Sequence, residues 1–134
     1  MPGVSVPEGG LDNVPPEQLL RADPGVAESV KGLLGDCPGT RCRLRAPAHP
    51  DLTGDAKPDL VLAFDDVGRT WLWAYAASGD KVRRVLDYAG QPELTAATVG
   101  RDLVIDESHG GRKSTIRYCW NGQVLAQCPA DDSG

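Results

Sequence analysis

The sequence predicts an α+β domain: an N-terminal helical segment packed on a mostly antiparallel sheet of about six to eight strands, with a two-layered β-sandwich as the alternative. Three observations point there. Helical periodicity is confined to residues 16–35. From residue 41 onward, short apolar runs are separated by turn residues. Near the C-terminal end, Asn121-Gly122 stands between two such runs, and a type I′ hairpin turn needs positive φ at both central positions. At 134 residues the chain suits one domain around one core.

Taken in order, residues 1–15 are rich in Pro and Gly, have little apolar character, and read as a flexible tether. Helical pattern starts at Pro16-Glu-Gln-Leu-Leu-Arg-Ala22, with proline at the first position, where it is tolerated. Asp23-Pro24 breaks and restarts it, with Asp23 as the N-cap of the second helix. Val26, Val30, Leu33 and Leu34 then form one amphipathic face, and Gly35 closes the helix. Between Arg41 and Ala46 the pattern alternates, placing Arg41, Arg43 and Arg45 on a solvated strand face that discourages edge pairing.

Further strands are expected at Leu60–Asp65, Thr70–Ala77, Lys81–Tyr88, Leu94–Val99 and Asp102–Glu107. A hairpin of Ser114–Trp120 and Gln123–Ala126 completes the series. Thr70–Ala77 is apolar on both faces, with Trp71, Trp73 and Tyr75 on one and Leu72, Ala74 and Ala76 on the other. Such a strand belongs near a sheet centre with a layer on each side. The small residues suit a close-packed helix; the aromatics suit a second layer or a shallow groove. The domain thus runs 16–128, and residues 129–134 read as a disordered tail.

The formal charge is −5, from 14 basic and 19 acidic residues, which argues against nucleic acid as a partner. The longest apolar run, Trp71–Ala77, is far short of the roughly 20 residues a membrane helix needs. The four cysteines, Cys37, Cys42, Cys119 and Cys128, lack zinc-type spacing and fit a disulfide framework in an oxidising compartment. Three pairings exist; Cys37–Cys42 with Cys119–Cys128 is the favoured one. It carries a condition. A two-residue turn at Asn121-Gly122 sets Cys119 opposite Val124, leaving Cys128 about 13 Å further along. A disulfide needs Cα atoms within roughly 7 Å, so the chain must fold back after Leu125.

The candidate site is Asp51-Leu-Thr-Gly-Asp-Ala-Lys-Pro-Asp59. Oxygen donors alternate at Asp51, Thr53 and Asp55, a carbonyl lies at Lys57, and Asp59 adds a carboxylate. Calcium takes six to eight such oxygens, so these five residues form a candidate calcium loop. The competing reading is an acidic turn held by Asx-type hydrogen bonds.

Asp51 to Leu62 resembles the aspartate-rich turn of FG-GAP or integrin-like repeats, in a single copy. A longer likeness adds the aromatic strand, the Gly79-Asp80-Lys81 turn, Gly100-Arg-Asp-Leu-Val-Ile105 and Ile116-Arg-Tyr-Cys-Trp-Asn-Gly122. In that order these are similar to small actinobacterial cell-envelope lipoproteins related to the regulator that restrains the sigma-E envelope stress response. The resemblance implies a secreted, non-enzymatic regulatory protein. It would be anchored to the membrane only by a lipid upstream of the tether and would act on an envelope protein partner. A calcium-dependent adhesion or carbohydrate-binding module is the alternative.

Enzyme readings find no assembled set. Ser108-His109-Gly110-Gly111 has no nucleophile elbow to accompany it. Asp65-Asp66 and Asp106-Glu107 are neighbours that strand alternation sends to opposite faces. His49 reads as a loop histidine rather than a ligand. No catalytic or cofactor-binding residues are assigned.

Overall fold

The structure is a computed structural model that describes residues 15–26, 28–34, 42–54, 58–66, 68–78, 81–92 and 94–128. Residues 1–14 of the expected 1–15 tether, residues 129–134 of the expected tail, and Gly35, Cys37, Arg41, Asp55 and Lys57 lie outside the described residues. Two short helices, α1 (Pro16–Ala22) and α2 (Glu28–Leu34), precede the strands. These are β1 (Arg43–Leu44), β2 (Leu60–Asp65), β3 (Thr70–Ser78), β4 (Lys81–Gly90), β5 (Thr95–Val99), β6 (Asp102–His109), β7 (Arg112–Trp120) and β8 (Leu125–Gln127).

The strands form two four-stranded sheets in the orders β1-β2-β3-β4 and β5-β6-β7-β8, with every pairing antiparallel. The helical layer and the sandwich are therefore both present, as three layers. One core lies between the helices and the first sheet, joining Leu19, Leu20, Val26 and Val30 to Leu60, Leu62, Phe64, Trp73 and Tyr75. The other lies between the sheets, joining Val61, Leu72, Ala74 and Ala76 to Leu103, Ile105 and Leu125. The first sheet is covered on both faces, which explains why β2 is buried at five consecutive positions.

That arrangement reverses the expected partners of β3. The aromatic face lies under the helices, and the small face packs on the second sheet. The physical reason is length. Two seven-residue helices fill little volume, so bulky rings must rise to meet them. Two extended sheets, each with its own side chains, close tightly only where one presents alanines.

Asp23 is likewise not a helix N-cap. It follows α1 as its C-cap, and its carboxylate points down to the sheet. Tyr75 Oη donates to Asp23 Oδ2 at 2.8 Å, and Arg84 Nη1 donates to Asp23 Oδ1 at 2.7 Å. Only 2% of Asp23 is exposed, and a carboxylate so buried costs several kcal/mol unless it is paired and hydrogen-bonded. Here the tyrosine, the guanidinium and the Gly25 amide at 2.9 Å answer it, pinning the α1–α2 turn to β3 and β4.

Arg45 also departs from the solvated face expected for it. It grips Asp65 with two bonds of 2.7 Å and donates a third of 2.7 Å to the Leu94 carbonyl. Arg45 thus ties the first sheet to the segment entering the second. Arg43, by contrast, stays in solvent with a 3.4 Å contact to Asp65.

The C-terminal hairpin is wider than a type I′ turn. Trp120 pairs with Leu125 and Cys119 with Ala126, so four residues, 121–124, make the connection. Asn121 Oδ1 accepts the amides of Gln123 and Val124, each at 2.9 Å, an Asx turn that wins over the two-residue form. This register places Cys128 two residues past the partner of Cys119. No fold-back is needed: the Cys119–Cys128 disulfide forms with Cα atoms 5.1 Å apart. A bridge closing so short a loop stabilises by about 2–3 kcal/mol. Cys42 is buried, and no described cysteine is a free thiol.

Candidate functional site

Polar and aromatic side chains converge at two places: the Asp51–Asp59 corner and a cleft on the helical face of the first sheet. In the corner, Asp59 is buried, and its Oδ2 accepts the amides of Leu52 at 2.7 Å and Thr53 at 3.1 Å. Asp51 Oδ1 accepts the Gly54 amide at 2.8 Å. Gly54 has φ +82°, where a side chain would be strained. These bonds hang the loop from its own carboxylates and drive Leu52 into the inter-sheet core, where it is 1% exposed.

Asx-type support accounts for this geometry. Arg101 adds to it: its Nη1 lies 2.7 Å from where a Cβ on Gly54 would stand, so a guanidinium already lies against the loop. Toward calcium, Thr53 Oγ1 is buried and makes no hydrogen bond, so Asp51, Thr53 and Asp59 supply oxygens of the right kind. Elsewhere among the described residues, the ligand-type groups of Asp102, Cys119 and Cys128 converge, but both sulfurs are bonded to each other.

The cleft is created by a β-bulge. Between Ala74 and Tyr75 the β3–β4 register slips: Ala74 pairs with Leu86, but Tyr75 pairs with Arg84. Val85 is the extra residue. In a regular strand, residues 84 and 87 face opposite sides; the bulge puts both on the helical face. Arg84 Nε consequently lies 3.7 Å from Asp87 Oδ2. The same slip sends Val85 and Leu86 into the inter-sheet core. Its signal in the sequence is the apolar spacing Val82, Val85, Leu86, which breaks strict alternation.

Burial then falls along β3 toward the β2–β3 turn. Tyr75 is 0% and Trp73 2% exposed, whereas Trp71 is half-buried. On β4 the side chain of Arg84 is 30% and that of Asp87 62% exposed. The helices cover the first end and stop short of the second. What remains open is a cleft of about 180 Å³ lined by Gly25, Trp71, Trp73, Asp87, Tyr88 and Ala89. The Trp71 and Trp73 rings are parallel to within 7°, their centroids 6.4 Å apart.

Neighbours fix the Trp71 ring. Asp66 Oδ2 accepts the Trp71 Nε1–H at 3.1 Å and its Oδ1 accepts the Gly68 and Arg69 amides. Burial alone would raise the Asp66 pKa, but the bonds from Gly68, Trp71 and Arg69 bring it below the usual carboxylate value. The Arg69 guanidinium stands 5.2 Å from the Trp71 ring centre, a cation–π distance. Gly25 closes the inner wall. A Cβ there would fall 1.7 Å from Arg84 Nη1, so a side chain at 25 would force the guanidinium to shift from its present position against Asp23.

The adjacent carboxylates all have structural partners. Asp65 takes Arg45 and the Thr70 hydroxyl, Asp106 takes Thr115, and Glu107 takes the Tyr88 hydroxyl. His49 is exposed on its loop. No family model, curated protein or solved structure matches the chain. Among the described residues, no helix is long and apolar enough to cross a membrane.

Proposed function

We propose that the protein is a non-enzymatic extracytoplasmic regulatory module, held at the cell envelope by a lipid upstream of residue 1 and acting by protein contact in envelope stress signalling. The observation that carries the reading is the Cys119–Cys128 disulfide. Disulfides persist in oxidising compartments, where small domains use them. The carboxylates near one another in sequence support it too, because each accepts a hydrogen bond that holds a turn, ties two strands or joins the sheets. What the surface offers is an open cleft with an aromatic wall and a carboxylate rim, a binding feature.

Deleting the gene and following transcription from the envelope-stress sigma-factor promoter tests the reading. Transcription should rise in unstressed cells and return to its normal level with the exported protein but not with a copy retained in the cytoplasm. Unchanged transcription would refute it.

A calcium-dependent adhesion or carbohydrate-binding module is the second reading, favoured by the Thr53 hydroxyl buried without a hydrogen bond beside Asp51 and Asp59. Ions that bind only the folded state raise its melting temperature. A rise at millimolar calcium, absent with magnesium and abolished by Asp51→Ala, supports it; no rise dismisses it.

A further inference from the structure

We infer that the Trp71–Asp87 cleft is a receptor for one cationic side chain, an arginine presented by the partner protein. This rests on the protein-contact reading for the source of the arginine, and on the cleft alone for its chemistry.

The walls select the charge. Two indoles line the space, and aromatic faces attract guanidinium and ammonium groups. Trp71 is already within cation–π distance of Arg69, so its ring lies where a guanidinium is accepted. The hydrogen bond from its Nε1–H to Asp66 places a negative charge at the indole edge, which favours a cation over the ring.

The charge count points the same way. Asp23 and Asp87 flank a single cation, Arg84, leaving that wall one negative charge in excess. Asp23 is deeply buried and holds Arg84 at 2.7 Å, while Asp87 is exposed and only 3.7 Å from it. Asp87 is therefore the carboxylate with capacity for a second guanidinium. An arginine that reached the cleft could lay its plane on Trp71 and direct two N–H groups to Asp87, the fork geometry that distinguishes it from lysine.

Volume fits as well. A cleft of about 180 Å³ takes one long side chain and excludes a folded element. The bulge at Val85 makes the site possible, since without it Asp87 would face the other sheet.

The test follows the three indole N–H resonances of the ¹⁵N-labelled protein while N-acetyl-arginine amide is added, with N-acetyl-lysine amide and an N-acetylglucosamine oligomer as parallel arms. Arginine should move the Trp71 resonance saturably at millimolar concentration and bind more tightly than lysine. Asp87→Asn, at an exposed position that leaves the fold intact, should weaken binding about five- to tenfold. The absence of a saturable shift, equal binding by Asp87→Asn, or saturation by the saccharide instead would overturn the inference. If the promoter responds to gene deletion but arginine does not bind, only the cleft assignment fails. If arginine binds and the promoter is unmoved, the regulatory reading fails and the cleft stands.

Discussion

The two faces of β3 solve the same problem in opposite ways. On the inter-sheet face, Leu72, Ala74 and Ala76 pack against Leu103, Ile105 and Leu125. The contact is one buried apolar cluster. On the helical face, Trp73 and Tyr75 rise to two short helices, and the layer is fastened by the buried Asp23–Tyr75–Arg84 cluster. The first face is built for stability. The second carries polar groups, a bulge and an incomplete cover, and binding chemistry sits there. Small side chains in a strand mark the tightly closed interface, and large ones mark the side where something shorter must be reached.

Truncation on the helical face should have the largest effect. Trp73→Ala removes the largest fully buried side chain and should destabilise by about 3–5 kcal/mol in chemical denaturation. Enlarging the opposite face probes the comparison from the other side. Ala74→Leu adds bulk at a fully buried position between the sheets and should cost about 1–3 kcal/mol; a neutral result would mean the sheets are not closely packed there.

Asp65 gives a smaller, pH-dependent effect. The Arg45 bonds, opposed by burial and aided by Thr70, hold its pKa below the usual value. The folded value is depressed, so the stabilisation is fully present above the unfolded carboxyl pKa near 3.9 and fades as pH falls through the lower folded value. Asp65→Asn should therefore be less stable by about 1 kcal/mol at neutral pH. The difference from the native chain should close in acid. Denaturation at a series of pH values reads both. Smallest of all, Asp87→Asn should leave stability within about 0.5 kcal/mol, so that any loss of arginine binding is read as loss of the site.

Most of the strand order was legible because alternation and turn residues are local signals. Leu60–Asp65 matches the expected strand end to end, and β3, β4 and β6 run one or two residues beyond it. What the sequence hid was non-local. The covering of each β3 face depends on what lies across it, and Trp71 and Ala74 read alike under either arrangement. Asp23 beside Pro24 has the local look of a helix cap; its true partners stand 52 and 61 residues away. Asn121-Gly122 correctly marked a hairpin, yet the Asx turn widened it and changed the disulfide geometry. In the Asp51–Asp59 corner the alternating oxygens were visible, whereas Arg101, which lies against Gly54, comes from the β5–β6 turn and could not be placed there in advance. The cleft was legible only in part, through the aromatic stripe; the Val85 bulge supplied the rest.

The central claim is that the helical layer is a separate cover, fastened to the first sheet through Asp23. Residue-resolved amide hydrogen exchange on Asp23→Ala tests it directly, because exchange reports opening region by region. Protection should be lost in Pro16–Leu34 and at the Tyr75–Arg84 pairing, with β5, β6 and β7 unchanged. Loss of protection spread evenly over both sheets, or no loss in the helices, would contradict it.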